Sequence, residues 1–146
     1  MSLKDIVKGS ARFRPIAAIS LGAIAGSLSR YYLGLGIANI LGTQFPYSTL
    51  IVNITGCLMM GFLATILLSK SLRFYPDLRL FLLTGFLGSY TTFSSYELES
   101  ITLLNEQKLG GFGVYWAGSF LLGFVALKGG IFIARKSLKI KNNTQS

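Results

Sequence analysis

The chain has 146 residues, 51% of them hydrophobic and only 13% charged, with a formal net charge of +9. That balance belongs to a membrane protein and leaves little for any soluble domain. There is no histidine and one cysteine, Cys57, which excludes a metal cluster, a disulfide framework and a histidine proton relay within one chain. The basic residues flank hydrophobic runs, as they do at a cytoplasmic membrane face, which argues against a nucleic-acid partner.

Uncharged windows fall at 15–29, 31–69, 80–96 and 109–127. A spanning helix needs about 20 apolar residues, so the composition predicts an all-α membrane protein of four transmembrane helices in a single domain covering 1–146. Residues 1–14 form a basic lead with Lys4, Lys8, Arg12 and Arg14. The lead superficially resembles a signal peptide, but no small-x-small cleavage site follows, and it reads as the entry to an uncleaved first span over about 16–36. There Gly22, Gly26 and Arg30 recur every four residues and share one face, the spacing that lets helices approach closely in membranes. Arg30 on that stripe is either a snorkelling arginine near a helix end or part of an electropositive vestibule.

After an uncharged connection ending in Pro46, span two covers about 47–68. Thr49 and Asn53 share a face there, continued by Gly56 and Met60. An amide in mid-membrane must be bonded, so Asn53 is either interhelical glue or a pore-lining group. Span three, about 78–105, is uncharged from Leu80 to Tyr96, yet carries Gly85, Gly88, Ser89, Thr91, Thr92, Ser94 and Ser95. Such residues in hydrocarbon suit a broken helix, tolerated only where it is buried in protein or lines a polar cavity. The glycines are expected to allow the break and the hydroxyls to satisfy the freed backbone. If helix resumes after Thr92, Phe93 and Tyr96 face the same way, and Glu97 and Glu99 approach an aqueous end. Span four covers about 112–134, with Tyr115, Ser119 and Gly123 forming one hydroxylated and small stripe.

Every span therefore has one polar or small face, and a four-helix chain is small for a pore, so these faces are expected to meet across a dimer. No nucleophile–base pair, carboxylate pair or phosphate loop is present, and no enzyme is expected. A proton-coupled exporter of small cationic compounds needs a carboxylate deep in the membrane, whereas the first three spans carry only Arg30 in their apolar cores. Hydroxyls, an amide and aromatic ring edges can donate to a small, strongly hydrated anion without trapping it. A non-conducting membrane scaffold or partner subunit is the competing reading.

GAIAGSLSR in span one, STLIVNITGCLMMG in span two and GFLGSYTTFSSYELE in span three together resemble the CrcB/Fluc fluoride channels, with YWAGSFLLG in span four as weaker support. The resemblance covers nearly the whole chain. It implies an antiparallel dimer with two narrow pores in the inner (plasma) membrane, passively exporting fluoride from the cytoplasm to lower its toxicity. It also implies a structural sodium ion where the broken third helices cross at the dimer centre, held by backbone carbonyls that fall on Gly88 and Thr91. The family's paired pore phenylalanines fall on Phe93 and Tyr96, its pore asparagine on Asn53 with Thr49 one turn before, and its vestibule arginine on Arg30. Ser94 and Ser95 follow the break, Glu99 matches an acidic position beyond it, and Tyr115 and Ser119 match the start of a polar track. Two positions depart from the pattern: Tyr96 is not phenylalanine, so its hydroxyl either enters the ion path or points away, and the track ends in Gly123, where relatives can carry serine.

With four spans, both termini and the loop 69–79 share one side. That side carries Lys4, Lys8, Arg12, Arg14, Lys70, Arg73, Arg79, Arg135, Lys136, Lys139 and Lys141, against Lys108 alone on the other. So strong a bias fixes both termini inside. A chain inserted one way cannot supply its own inverted copy, which predicts an antiparallel partnership with an oppositely oriented homologue, and otherwise a homodimer.

Overall fold

The computed structural model describes residues 3–69 and 75–143, with side chains placed over 13–69 and 75–139; Lys70 and Arg73 lie outside the described residues. Everything regular in it is helical, as a chain with long uncharged runs requires when its backbone must be satisfied without water. Helix α1 runs Leu3–Leu41 with Pro15 inside it, past both ends of the expected first span. Nothing between residues 37 and 41 is charged or proline, so helix propagates until Gly42, whose φ of +78° ends it. The Gly42 N–H closes on the Ala38 carbonyl at 2.9 Å, a left-handed glycine cap.

Helix α2, Tyr47–Leu67, starts directly after Pro46, close to the boundaries the sequence predicts. Helix α3 is a continuous rod made of Pro76–Arg79, a wider π-helical stretch Leu80–Leu87 and a last turn Gly88–Tyr90. The rod stops at two extended residues, Thr91 (φ −80°, ψ 157°) and Thr92 (φ −146°, ψ 121°). Helix α4 then covers Phe93–Asn105 and α5 covers Leu109–Asn143. Among the described residues, three helical stretches are long and apolar enough to cross a membrane: Phe13–Leu41, Tyr47–Leu67 and Leu109–Lys139. At 1.5 Å per residue α3 is about 22 Å long and α4 about 20 Å. Neither matches a hydrocarbon core of about 30 Å alone.

Glycines bring the helices together. A Cβ at Gly22 would strike the Phe81 carbonyl and one at Gly26 the Phe86 carbonyl, so α1 lies backbone to backbone along α3. Gly61 meets the Leu127 carbonyl and Gly130 the Leu58 carbonyl in the same way, seating α5 along α2. The interior is correspondingly thin. Val52, Leu87 and Tyr90 form one buried cluster, and Tyr96, Leu103 and Tyr115 another. Large apolar residues such as Ile24, Phe120 and Phe132 point outward, the distribution expected where the solvent is lipid. At the basic end, Arg14 reaches Asp77 at 2.7 Å and ties α1 to the start of α3.

Candidate functional site

The break between α3 and α4 is held by one side chain. Asn53 on α2 accepts from the Thr92 N–H through Oδ1 and donates to the Thr92 carbonyl through Nδ2, both at 2.9 Å. Asn53 thus answers both backbone groups of the residue at the break, the requirement that hydrocarbon imposes on an interrupted helix. One turn on, a Cβ at Gly56 would strike Thr91 Cγ2, so the glycine makes room for the break. Thr91 Oγ1 donates back to the Leu87 carbonyl at 3.0 Å. Thr92 Oγ1 caps α4 by accepting from the Ser95 N–H at 3.2 Å, with the Ser94 and Ser95 hydroxyls at 3.3 and 3.1 Å.

Two carbonyls lose their usual partners through this arrangement. In an unbroken helix the Thr92 N–H would close on the Gly88 carbonyl and the Ser95 N–H on the Thr91 carbonyl. Here the first is taken by Asn53 and the second by the Thr92 hydroxyl. The glycines of the segment act otherwise than the sequence suggests. Gly85 does not make the break but packs on α1, where a Cβ would sit 2.5 Å from the Ile19 carbonyl. Gly88 lies within helix with nothing closer than 3.9 Å to its absent Cβ. The break itself is made by two threonines in ordinary extended conformation, stabilised from outside by Asn53.

Beside the break lies a groove of about 660 Å³, lined on its polar side by Asn53, Thr91, Thr92 and Ser119 and on its apolar side by residues such as Met60, Trp116, Phe120 and Leu127. Phe93 and Tyr96 line it together, their ring centroids 5.7 Å apart, but they differ in exposure. Phe93 is 74% exposed, whereas Tyr96 is 8% exposed. The Tyr96 hydroxyl donates to the Trp116 carbonyl on α5 at 3.3 Å. Ser119 Oγ is buried with no partner among the described residues, a free hydroxyl on the groove wall. The exposed Glu97 stands among the lining residues.

Thr49, Tyr115 and Glu99 come together next to this groove. Glu99 Oε1 accepts from Thr49 at 2.8 Å and Oε2 from Tyr115 at 2.6 Å, so Glu99 is gripped between α2 and α5. Tyr115 is fully buried, its ring 5.3 Å from Tyr96 and edge-on to Phe45 at 5.6 Å. Sequence reasoning passed over Phe45 and the Glu99 grip. The sequence put Thr49 and Tyr115 on polar faces of their helices and Glu99 beyond the break, but gave no link between them. Gly123 is buried against Cys57 Sγ, 3.5 Å from where its Cβ would be. Arg30 is half-buried on α1 and is not among the groove's lining residues, and no ion pair reaches it among the described residues.

A multi-pass membrane helix bundle with one helix interrupted and clamped beside a part-polar groove is built to pass or hold a small solute, and the comparisons with known proteins agree. The model of the CrcB-like protein family, Camphor Resistance (CrcB), matches residues 17–131. The chain is 52% identical over 121 residues to the fluoride-specific ion channel FluC of Trichormus variabilis, covering 83% of this chain and 88% of that protein. It is 48% identical to FluC of a Synechococcus strain, over 81% and 90% of the two chains, and 44% identical to FluC of a Synechocystis strain, over 86% and 96%. The protein belongs to the CrcB-like family.

Proposed function

We propose that the protein is a fluoride-specific channel and no enzyme, lowering fluoride toxicity by letting the ion leave the cytoplasm passively across the inner (plasma) membrane. The observation that carries this reading is the clamped break beside a groove whose wall offers uncharged donors. Fluoride is small and strongly hydrated, so a path must replace its water with weak donors in series. Asn53 keeps one amide hydrogen beyond its bond to Thr92, Ser119 carries a hydroxyl with no partner among the described residues, and the rings of Phe93 and Tyr96 present electropositive edges. Ser94 and Ser95 extend that hydroxylated path, Thr49 and Tyr115, whose hydroxyl hydrogens go to Glu99, brace its wall, and Arg30 serves the vestibule. The likeness to three FluC channels favours this function over a scaffold or a cation exporter.

The diverted hydrogen bonds at the break support a resident cation. The Gly88 and Thr91 carbonyls, deprived of their helical donors, suit a hard cation with oxygen ligands, and sodium is the ion we assign. Bound there, it would supply positive charge at the centre of the membrane, while this chain's own part is to aim the carbonyls. Polar lining facing hydrocarbon costs several kcal/mol per unpaired group, and the groove wall carries Asn53, Thr92 and the Ser119 hydroxyl. A second protein surface must therefore cover it, in an antiparallel dimer whose two copies bring their breaks together. The bias in Lys and Arg assigns the partner as an oppositely oriented homologue, with a homodimer as the alternative.

Growth tests this function. Expressed with its partner in a bacterium stripped of fluoride exporters, the protein is expected to restore growth in fluoride, and Asn53→Asp to remove that protection at equal membrane abundance. Equal protection by the wild type and Asn53→Asp would refute the path through Asn53, and no protection by the wild type would refute fluoride export.

A further inference from the structure

Helix α2 grips the end of α3 at three successive residues. Asn53 holds Thr92 and Gly56 receives Thr91, as described above; Thr55 holds Tyr90. Thr55 Oγ1 lies 2.8 Å from Tyr90 Oη. The same hydroxyl is within 2.8 Å of the Ile51 carbonyl and 3.0 Å of the Val52 carbonyl, so its hydrogen goes to its own helix and its rotamer is fixed. The Tyr90 O–H is then the donor, and Thr55 is a stationary acceptor. Tyr90 is 4% exposed, its ring stacked on Phe86 at 5.8 Å with 9° between planes. A buried phenol without a partner is costly, so this ring is held at both its face and its tip.

We infer that Thr55 and Tyr90 are positioning residues for a cation at the break, setting the direction in which the Gly88 and Thr91 carbonyls point. The inference rests on the sodium reading above. Tyr90 is the last helical residue of α3, and the two carbonyls belong to residues two before and one after it. With its side chain pinned, the backbone between them has little freedom to turn. Asn53 fixes the far side of the break, and the Thr55–Tyr90 bond fixes the near side. Carbonyl ligands to a small hard cation depend on their common aim, so a near side released by one hydrogen bond loses cation affinity before it loses the fold.

The test is thermal unfolding of the purified assembly against sodium concentration, with N-methylglucamine holding ionic strength constant. Wild-type protein is expected to gain stability from sodium along a saturable curve. Tyr90→Phe and Thr55→Val should each raise the sodium concentration for half-maximal stabilisation about fivefold to tenfold, the worth of one hydrogen bond. Thr55→Ser, which keeps the acceptor, should retain the wild-type midpoint, and the double variant should move no further than either single one. Fluoride efflux at saturating sodium should stay near wild type in all four. Variants that melt lower by the same amount at every sodium concentration, with an unchanged midpoint, would reduce the pair to packing and overturn the inference while leaving the cation site standing. A wild type indifferent to sodium would overturn the cation site and this inference with it.

Discussion

Asn53 shows how a single amide can decide a membrane site. Both of its functional groups meet Thr92, and only an amide has a donor and an acceptor at that spacing. An aspartate keeps the acceptor, loses the donor and brings an anionic oxygen against the Thr92 carbonyl. Asn53→Asp should therefore lower fluoride efflux from liposomes about 10-fold to 100-fold, the range for a buried group left without its partner; efflux within twofold of wild type would contradict the clamp. Tyr96 makes the opposite case. Its hydroxyl is turned onto the Trp116 carbonyl, while the ring lines the groove. Tyr96→Phe should keep at least half the wild-type flux and cost about 1 kcal/mol of stability in a melting experiment. At this scale the spacings of four and three residues along Thr49, Asn53 and Gly56 made their shared face legible. The partners were not, because Thr49 meets Glu99 and Asn53 meets Thr92 across separations of 50 and 39 residues.

At the scale of elements, the sequence marked α2 closely and located the interruption of the third span, since hydroxylated residues in an uncharged run have few other uses. It assigned the cause wrongly: glycine density suggested a flexible backbone, yet Gly85 serves the contact with α1 and the extended pair is Thr91–Thr92. The π-helical stretch Leu80–Leu87 had no signal in the side chains, because a change from i+4 to i+5 bonding follows from packing. The glycine contacts make a sharp prediction. Gly26→Leu puts a side chain into the Phe86 carbonyl, whereas Gly36 and Gly113 have nothing within 4 Å of an added Cβ. Gly26→Leu should abolish recovery of assembled protein by size-exclusion chromatography. Gly36→Ala and Gly113→Ala should hold stability or raise it by about 0.5–1 kcal/mol. Equal behaviour of all three would mean that α1 does not pack on α3 as described.

The whole molecule is arranged by charge. In the sequence the basic residues gather in both terminal stretches and in the connection between α2 and α3, and Lys108 is the one basic residue on the connection between α4 and α5. Thiol labelling in intact cells, in a Cys57→Ser background, reads the orientation directly. Lys108→Cys should react with a membrane-impermeant reagent, and Lys139→Cys should react only after permeabilisation. Labelling of both from outside would mean two orientations and a homodimer. The count of basic residues in the loops was legible in the sequence; the groove beside the break was not, since it depends on how α2, α4 and α5 stand together. Everything above turns on the passage of fluoride through this assembly. Its most direct measurement is fluoride efflux, read by a fluoride electrode, from liposomes loaded with potassium fluoride and holding the chain alone or with an oppositely oriented homologue. Rapid, fluoride-selective efflux is expected only when both orientations are supplied. Efflux from the chain alone would contradict the heteromeric assembly, and no efflux under either condition would contradict fluoride conduction itself.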